Sequence, residues 1–263
     1  MNPTSQAATK FECITLESER PIARITLKNP PVNVIDISMM EELASALAEI
    51  ESQPEIFTIV LQGDGKNFSA GVDVAAHTPD SADKMLKKFH GVIRALVATR
   101  KVTIAVVHGS CLGGGAELAM MCDIVLTADD ATWGFPEISL GCYPAVAATA
   151  LSALIGPKRA SDMILTGGTI LGAEASDIGL ASRATPQDKL EAAVTKALER
   201  LQKLSPAVLA LAKKAIYTWD SMHFDKGLTR AEKIYLEELI ETEDAQEGIK
   251  AFLQKRNPEW TGK

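Results

Sequence analysis

The chain of 263 residues is short of cysteine, of long apolar runs and of excess positive charge. Its four cysteines are Cys13, Cys111, Cys122 and Cys142. None forms a CxxC, and no histidine pair stands at metal-ligand spacing. A disulfide framework or a metal site is therefore not expected, and buried thiols in a reducing cytosol are the ordinary reading. The longest apolar stretch, around Ala145 to Ile155, falls far short of the ~20 residues that a membrane-spanning helix needs. The first ten residues carry no apolar core of the secretory type. Lys and Arg total 27 against 34 Asp and Glu, a net charge of −7. Such an acidic chain is a poor non-specific partner for nucleic acid or an anionic membrane. There is no internal repeat of roughly 20–50 residues and no low-complexity linker. What is present is ordinary globular composition, 46% apolar and 23% charged. These readings predict a soluble, cytoplasmic protein with neither a membrane nor a nucleic-acid partner.

The hydrophobic pattern alternates between strand and helix. Residues 1–10 read as a loose tail. Phe11–Glu17 and Ile22–Lys28 alternate apolar and polar residues around a turn at Pro21, which predicts a hairpin. Ser38 followed by Glu41 has the form of a capping box. The helix it opens has Met39, Leu43, Leu47 and Ile50 at helical spacing. Ile56–Leu61 and Val102–Val107 are apolar and rich in β-branched residues, as in buried strands. Helical spacing returns at 83–99, and short strands are expected at Ile124–Ala128 and Ala131–Phe135. Further helices are expected at 145–155, 157–166, 173–179 and 187–203. From Ser205 onward every signal is helical. The fold class is therefore α/β, with a core over 1–204 and a C-terminal helical region over 205–263.

The segment Cys111–Asp123 (CLGGGAELAMMCD) carries the clearest chemistry. Three glycines after a buried strand permit close backbone approach. A helix starting there aims free N–H groups and the positive end of its dipole forward, which suits an anion or a developing oxyanion. Neither a G-x-G-x-x-G nor a P-loop spacing is present. Glu117 lies in the first turn of this helix among apolar residues, and Glu137 follows in the segment WGFPEISLG. Two carboxylates near an oxyanion cradle suit proton shuttling on a carbonyl compound. In Lys66–Asp73 (KNFSAGVD), Asn67 stands where a serine-hydrolase elbow needs glycine, so Ser69 is a weak nucleophile candidate. None of His77, His90, His108 and His223 belongs to a recognisable triad.

At these residues the chain resembles the crotonase superfamily, the enoyl-CoA hydratase/isomerase family. The blocks that carry the resemblance are FSAGVD (68–73), Gly109–Asp123, FPEISLG (135–141), LTG (165–167) and EGIKAFLQKR (247–256). The resemblance implies a spiral of ββα units with C-terminal helices, assembled as a homotrimer or homohexamer. It implies that the amides of Val72 and Gly114 form a thioester oxyanion hole and that Glu117 and Glu137 are the catalytic pair. It assigns backbone contacts with coenzyme A to Val72, Asp73, Val74 and Ala75. Phe252 and Lys255 match positions that reach a neighbouring subunit's coenzyme A. Tyr143 and Ala145 are the acyl-pocket candidates.

The activity so implied is that of a hydro-lyase, adding water to the double bond of an α,β-unsaturated acyl-CoA. Coenzyme A enters as part of the substrate, with no metal or separate cofactor. Isomerases of the superfamily often keep one of the two carboxylates, so the pair favours hydration. An isomerase on the same scaffold and a non-catalytic RNA-binding member are the alternatives. Straight-chain hydratases read Pro-Gly-x-Gly-Gly-Thr after the second glutamate, whereas this chain has PAVAAT at 144–149. That departure points away from crotonyl-type substrates. With GVDV, HTP and the tail YLEELIETED, it resembles the cyclohexa-1,5-diene-1-carbonyl-CoA hydratases.

Overall fold

The computed structural model describes residues 11–261, with the backbone alone over 218–223. The tail at 1–10 lies outside the described residues. Strand β1 (Ile14–Glu19) pairs antiparallel with β2 (Ile22–Leu27), and helix α1 (Ile37–Glu51) follows. Next come β3 (Thr58–Gly63), α2 (Ala82–Ala98), β4 (Val102–Val107), β5 (Ser110–Leu112) and α3 (Gly114–Met120). β6 (Ile124–Ala128), β7 (Thr132–Gly134), α4 (Ala145–Ile155), α5 (Pro157–Thr166), β8 (Thr169–Leu171) and α6 (Gly172–Asp177) continue the chain. β9 (Arg183–Thr185), α7 (Leu190–Leu201), α8 (Pro206–Ile234) and α9 (Glu243–Leu253) complete it.

Six strands form one sheet in the order β1-β2-β3-β4-β6-β9, parallel except for the β1–β2 hairpin. A smaller sheet, β5-β7-β8, lies at the turn before α3. All six residues of β4 are buried, as a central parallel strand covered on both faces requires. α2 buries Met85, Phe89, Val92, Ile93 and Leu96, the side that the spacing predicts. At roughly 1.5–3 kcal/mol for each large apolar side chain, this stripe outweighs any propensity term in the helix. α3 is buried along its whole length, so its position is fixed by packing on every side.

Three local expectations change. The N-cap of α1 is Asp36, whose Oδ1 accepts the Met39 amide at 2.8 Å, rather than Ser38. Asp36 stands at the cap position and reaches the free Met39 amide, whereas Ser38 already lies inside the first turn. β1 begins at Ile14 and not Phe11, because the Glu42 carboxylate takes the amides of Glu12, Cys13 and Ile14. The three-residue strands β5, β8 and β9 carry no pattern of their own. They exist through pairing with distant partners.

Candidate active site

The chain turns sharply between β5 and α3. Gly113 holds φ 51° and ψ −128°, a conformation open in practice to glycine. A Cβ there would lie 2.7 Å from Glu137 Oε1. The helix starts at Gly114, two residues earlier than its apolar pattern suggests, so the Gly114 amide is one of those an α-helix leaves unpaired.

Backbone bookkeeping along 68–73 isolates a second free donor. The Phe68, Ser69 and Ala70 amides donate to the carbonyls of His108, Ser110 and Val32. The Gly71 amide donates to Ser69 Oγ at 3.1 Å, and the Asp73 amide to the Ile35 carbonyl. Among the described residues Val72 alone in this stretch has no acceptor for its N–H. A Cβ on Gly114 would stand 3.4 Å from that Val72 nitrogen, and one on Gly71 would stand 3.5 Å from the Gly114 nitrogen. Two unpaired amides thus share one small space, the arrangement that a developing oxyanion needs.

Glu117 and Glu137 flank the same turn. Glu117, on α3, is 4% exposed. Its Oε1 accepts the Ala147 amide of α4 at 2.9 Å, with the Val146 amide also contributing. Burial pushes its carboxyl above the ordinary range, and these amides partly oppose the shift. Glu137 sits in the 3-10 turn Pro136–Leu140, where Pro136 occupies the first position. Its Oε2 is buried without a hydrogen-bond partner. Burial raises its pKa first, and the nearby Glu117 charge raises it further. Two buried carboxylates coupled this way hold a proton into the neutral range.

The remaining candidates divide. Asp73 caps the short 3-10 turn Val74–His77, and its Oδ1 takes the Ala75 amide at 3.1 Å. The Asp73 and Ala75 amides are thus satisfied within the chain. Tyr143 donates its hydroxyl to the Ala231 carbonyl at 2.5 Å and borders a cavity of about 620 Å³ with Met120, Met121 and Thr149. Ala145 is buried in the first turn of α4 and does not line that cavity. Phe252, at the end of α9, and Lys255, just past it, are exposed, and no hydrogen bond links their side chains to the glutamates among the described residues.

Ser69 is taken up structurally, with its buried hydroxyl donating to the Asn33 carbonyl at 2.7 Å. His90 meets Glu232, His77 meets the Asp73 carbonyl, and His108 meets the Gly65 carbonyl. The side chain of His223 lies outside the described residues. Among the described residues no group of three His, Cys, Asp or Glu has metal-binding geometry.

A family model for enoyl-CoA hydratase/isomerase matches residues 17–263. The chain belongs to that family. A probable enoyl-CoA hydratase of Mycobacterium tuberculosis is 36% identical over 254 residues, covering 95% of this chain and 98% of the relative. A cyclohexa-1,5-dienecarbonyl-CoA hydratase of Thauera aromatica is 34% identical over 247 residues, covering 94% and 95%. The crystal structure of an enoyl-CoA hydratase from Mycobacterium avium subsp. paratuberculosis superposes with a TM-score of 0.87 at 27% identity, covering 96% of this chain and 100% of that one. The crotonase-type architecture expected from the sequence is therefore the observed one.

In this member of the enoyl-CoA hydratase/isomerase family, two site features escape the motif reading. The N-terminus of α4 supplies the amides that hold Glu117. Pro144 at its N-cap was the available signal, since a helix start exposes donors to whatever faces it. The other is Tyr235, from the C-terminal helical region, a buried phenol whose ring lies 5.4 Å from that of Tyr143 and whose pKa is pushed up by burial first and by its neighbours Cys142 and Glu137 after it. It opens the tail YLEELIETED, which entered the sequence reading only through the subgroup resemblance and with no role for the phenol.

Proposed function

We propose that this protein catalyses the addition of water to the double bond of an α,β-unsaturated acyl-CoA thioester. One observation carries the reading: two buried carboxylates stand beside two unpaired amides. The thioester oxygen accepts from the Val72 and Gly114 N–H groups, and charge develops there as water adds at the β-carbon. Each such donor contributes roughly 3–4 kcal/mol to the transition state. Glu117, supported by backbone donors, carries the negative charge of the pair more easily and takes the proton from water. Glu137, with Oε2 unpartnered, retains a proton and delivers it to the α-carbon. One pair thereby supplies both base and acid near neutral pH.

Coenzyme A is part of the substrate and lies along Val72–Ala75, with Phe252 and Lys255 reaching it across a homotrimer or homohexamer. The acyl group lies against Tyr143, on the cavity that this residue borders. The PAVAAT segment, which opens α4, favours a compact cyclic dienoyl group over crotonyl. The similarity to the Thauera aromatica hydratase supports this finer reading. The test is a turnover screen of linear, branched and cyclic enoyl-CoAs read by mass spectrometry. Hydration adds the mass of one water, whereas isomerisation adds none. Glu117→Gln and Glu137→Gln should each lower kcat by about 10²–10⁴, and the double variant by less than the product. Near-parental hydration by either single variant would sink the pairing.

A further inference from the structure

The turn that carries Glu137 ends on Gly141, in left-handed backbone at φ 73° and ψ 22°. α9 lies directly on that end. Its first turn is capped, with Thr242 Oγ1 accepting the Ala245 amide at 3.1 Å. Its buried residues Ala245, Gly248 and Ala251 recur every third position and give the helix one small face. A Cβ on Gly141 would stand 2.8 Å from the Asp244 carbonyl oxygen and 3.0 Å from the Ala245 Cα. A Cβ on Gly248 would stand 2.4 Å from the Leu140 carbonyl oxygen, 2.6 Å from its carbon and 2.9 Å from the Gly141 nitrogen. The two glycines therefore bring backbone against backbone, with no flexible side chain between them to absorb a shift. The chain beyond α9 is tied back to the helix. Arg256 Nη2 donates to Glu247 Oε2 at 2.8 Å, and the Glu259 amide donates to Glu247 Oε1 at 2.9 Å.

On its inner side the turn is closed by the Cys142 amide and Sγ, which meet the Glu137 carbonyl at 3.2 and 3.4 Å. The carboxyl itself has less support, since its Oε2 is buried without a partner. Its orientation follows the placement of the turn. We propose that Gly248 is a positioning residue for Glu137: its missing side chain lets α9 seat on Leu140 and Gly141, and that seat sets where the turn holds the carboxyl beside Gly113. The inference rests on the reading of Glu137 as an acid–base group. The seat on the turn is a task separate from any coenzyme A contact by Phe252 and Lys255 further along the chain.

The experiment is a double-variant cycle in the full-length protein: Gly248→Ala, Glu137→Gln and the two together, with Gly91→Ala as the matched control. Gly91 is a glycine of α2 at which a Cβ would meet nothing within 4 Å. Ordinary contact needs roughly 3.5 Å, so a methyl group on Gly248 must part α9 and the turn by about 1 Å. A misplacement of that size in a reacting group costs up to about 100-fold, and the carboxyl, one turn away from Leu140, takes part of it. Gly248→Ala should accordingly lower kcat by about 10-fold, and Gly91→Ala should keep the parental kcat. In the Glu137→Gln background Gly248→Ala should cost less than about 2-fold, because the group it positions is gone. A parental kcat in folded Gly248→Ala, a rise in KM alone, or an equal loss with and without the Glu137 carboxyl each overturns this inference and leaves the catalytic reading of Glu137 in place. Near-parental hydration by Glu137→Gln overturns both. If Gly248→Ala does not fold, hydrogen exchange in the parent protein decides. In urea below the unfolding midpoint, peptides covering 136–143 and 243–253 should lose protection together. A turn that stays protected after α9 has opened overturns the inference.

Discussion

Replacing Gly113 by alanine adds one methyl group, and its consequences follow from two measurements. The backbone at Gly113 has φ 51° and ψ −128°. An L-residue held there carries on the order of 1–3 kcal/mol of strain. The added carbon would also stand 2.7 Å from Glu137 Oε1 and 3.3 Å from the carboxyl carbon. Ordinary contact needs roughly 3.5 Å, so the carboxyl or the turn must yield by most of an ångström. The Gly113 amide is fixed by the Gly134 carbonyl at 2.9 Å, which leaves the carboxyl as the softer partner. A displacement of that size in a reacting group costs about 10²-fold in rate. Gly113→Ala should therefore lower kcat by about that factor and stability by a few kcal/mol at most. The assay is steady-state loss of the conjugated thioester at saturating substrate, paired with urea unfolding. A folded Gly113→Ala enzyme with parental kcat would refute the placement of Glu137 against the turn.

Three further outcomes are expected. The folded-state values of Glu117 and Glu137, about 7 and about 8, lie above the ordinary 4.5, so the folded chain binds these protons more tightly than the unfolded one. The contribution of this pair to stability should then be fully present below about 4.5 and be lost as pH rises through about 8, and Glu137→Gln should flatten that loss; an equal change in urea midpoint between pH 5 and pH 9 for parent and variant would remove the linkage. Cyclohexa-1,5-diene-1-carbonyl-CoA should exceed crotonyl-CoA in kcat/KM by roughly 10- to 200-fold, the effect of one or two methyl-sized contacts, and an equal or higher crotonyl value would leave only the general hydratase reading. Truncation after Gly248 removes Ile249, which packs within α9, together with Phe252 and Lys255; it should weaken acyl-CoA binding or assembly, and a fully active truncated monomer by light scattering would rule that out.

Much of this architecture was legible in order of residues. Val102–Val107 and Ile124–Ala128 announced strands because buried parallel strands need continuous apolar runs. α4 and α5 matched their expected limits, 145–155 and 157–166, because Pro144, Gly156 and Gly167 punctuate them. Glu117 was marked by its place just past three glycines. The unreadable parts are those that only tertiary pairing creates. β8 and β9 are three residues each and borrow their structure from β7 and β6. Asp36 outcompeted Ser38 through cap geometry that a pattern of residue types does not contain. Tyr235 packs its ring against that of Tyr143 across more than ninety residues of chain, with no spacing rule to reveal it.

Both unpaired donors at the glycine turn belong to the main chain. Side-chain identity at position 72 can therefore drift over evolutionary time while the donor stays, provided the neighbouring glycines keep their dihedrals. The same arrangement is intolerant of length change. An insertion or deletion between Ser69 and Asp73 would break the Ser69 hydroxyl's bond to Asn33 or the Asp73 amide's bond to Ile35, and would bring a different residue's N–H beside that of Gly114. Substitution and loop-length variation should thus leave opposite signatures on these five residues, the first common and the second rare.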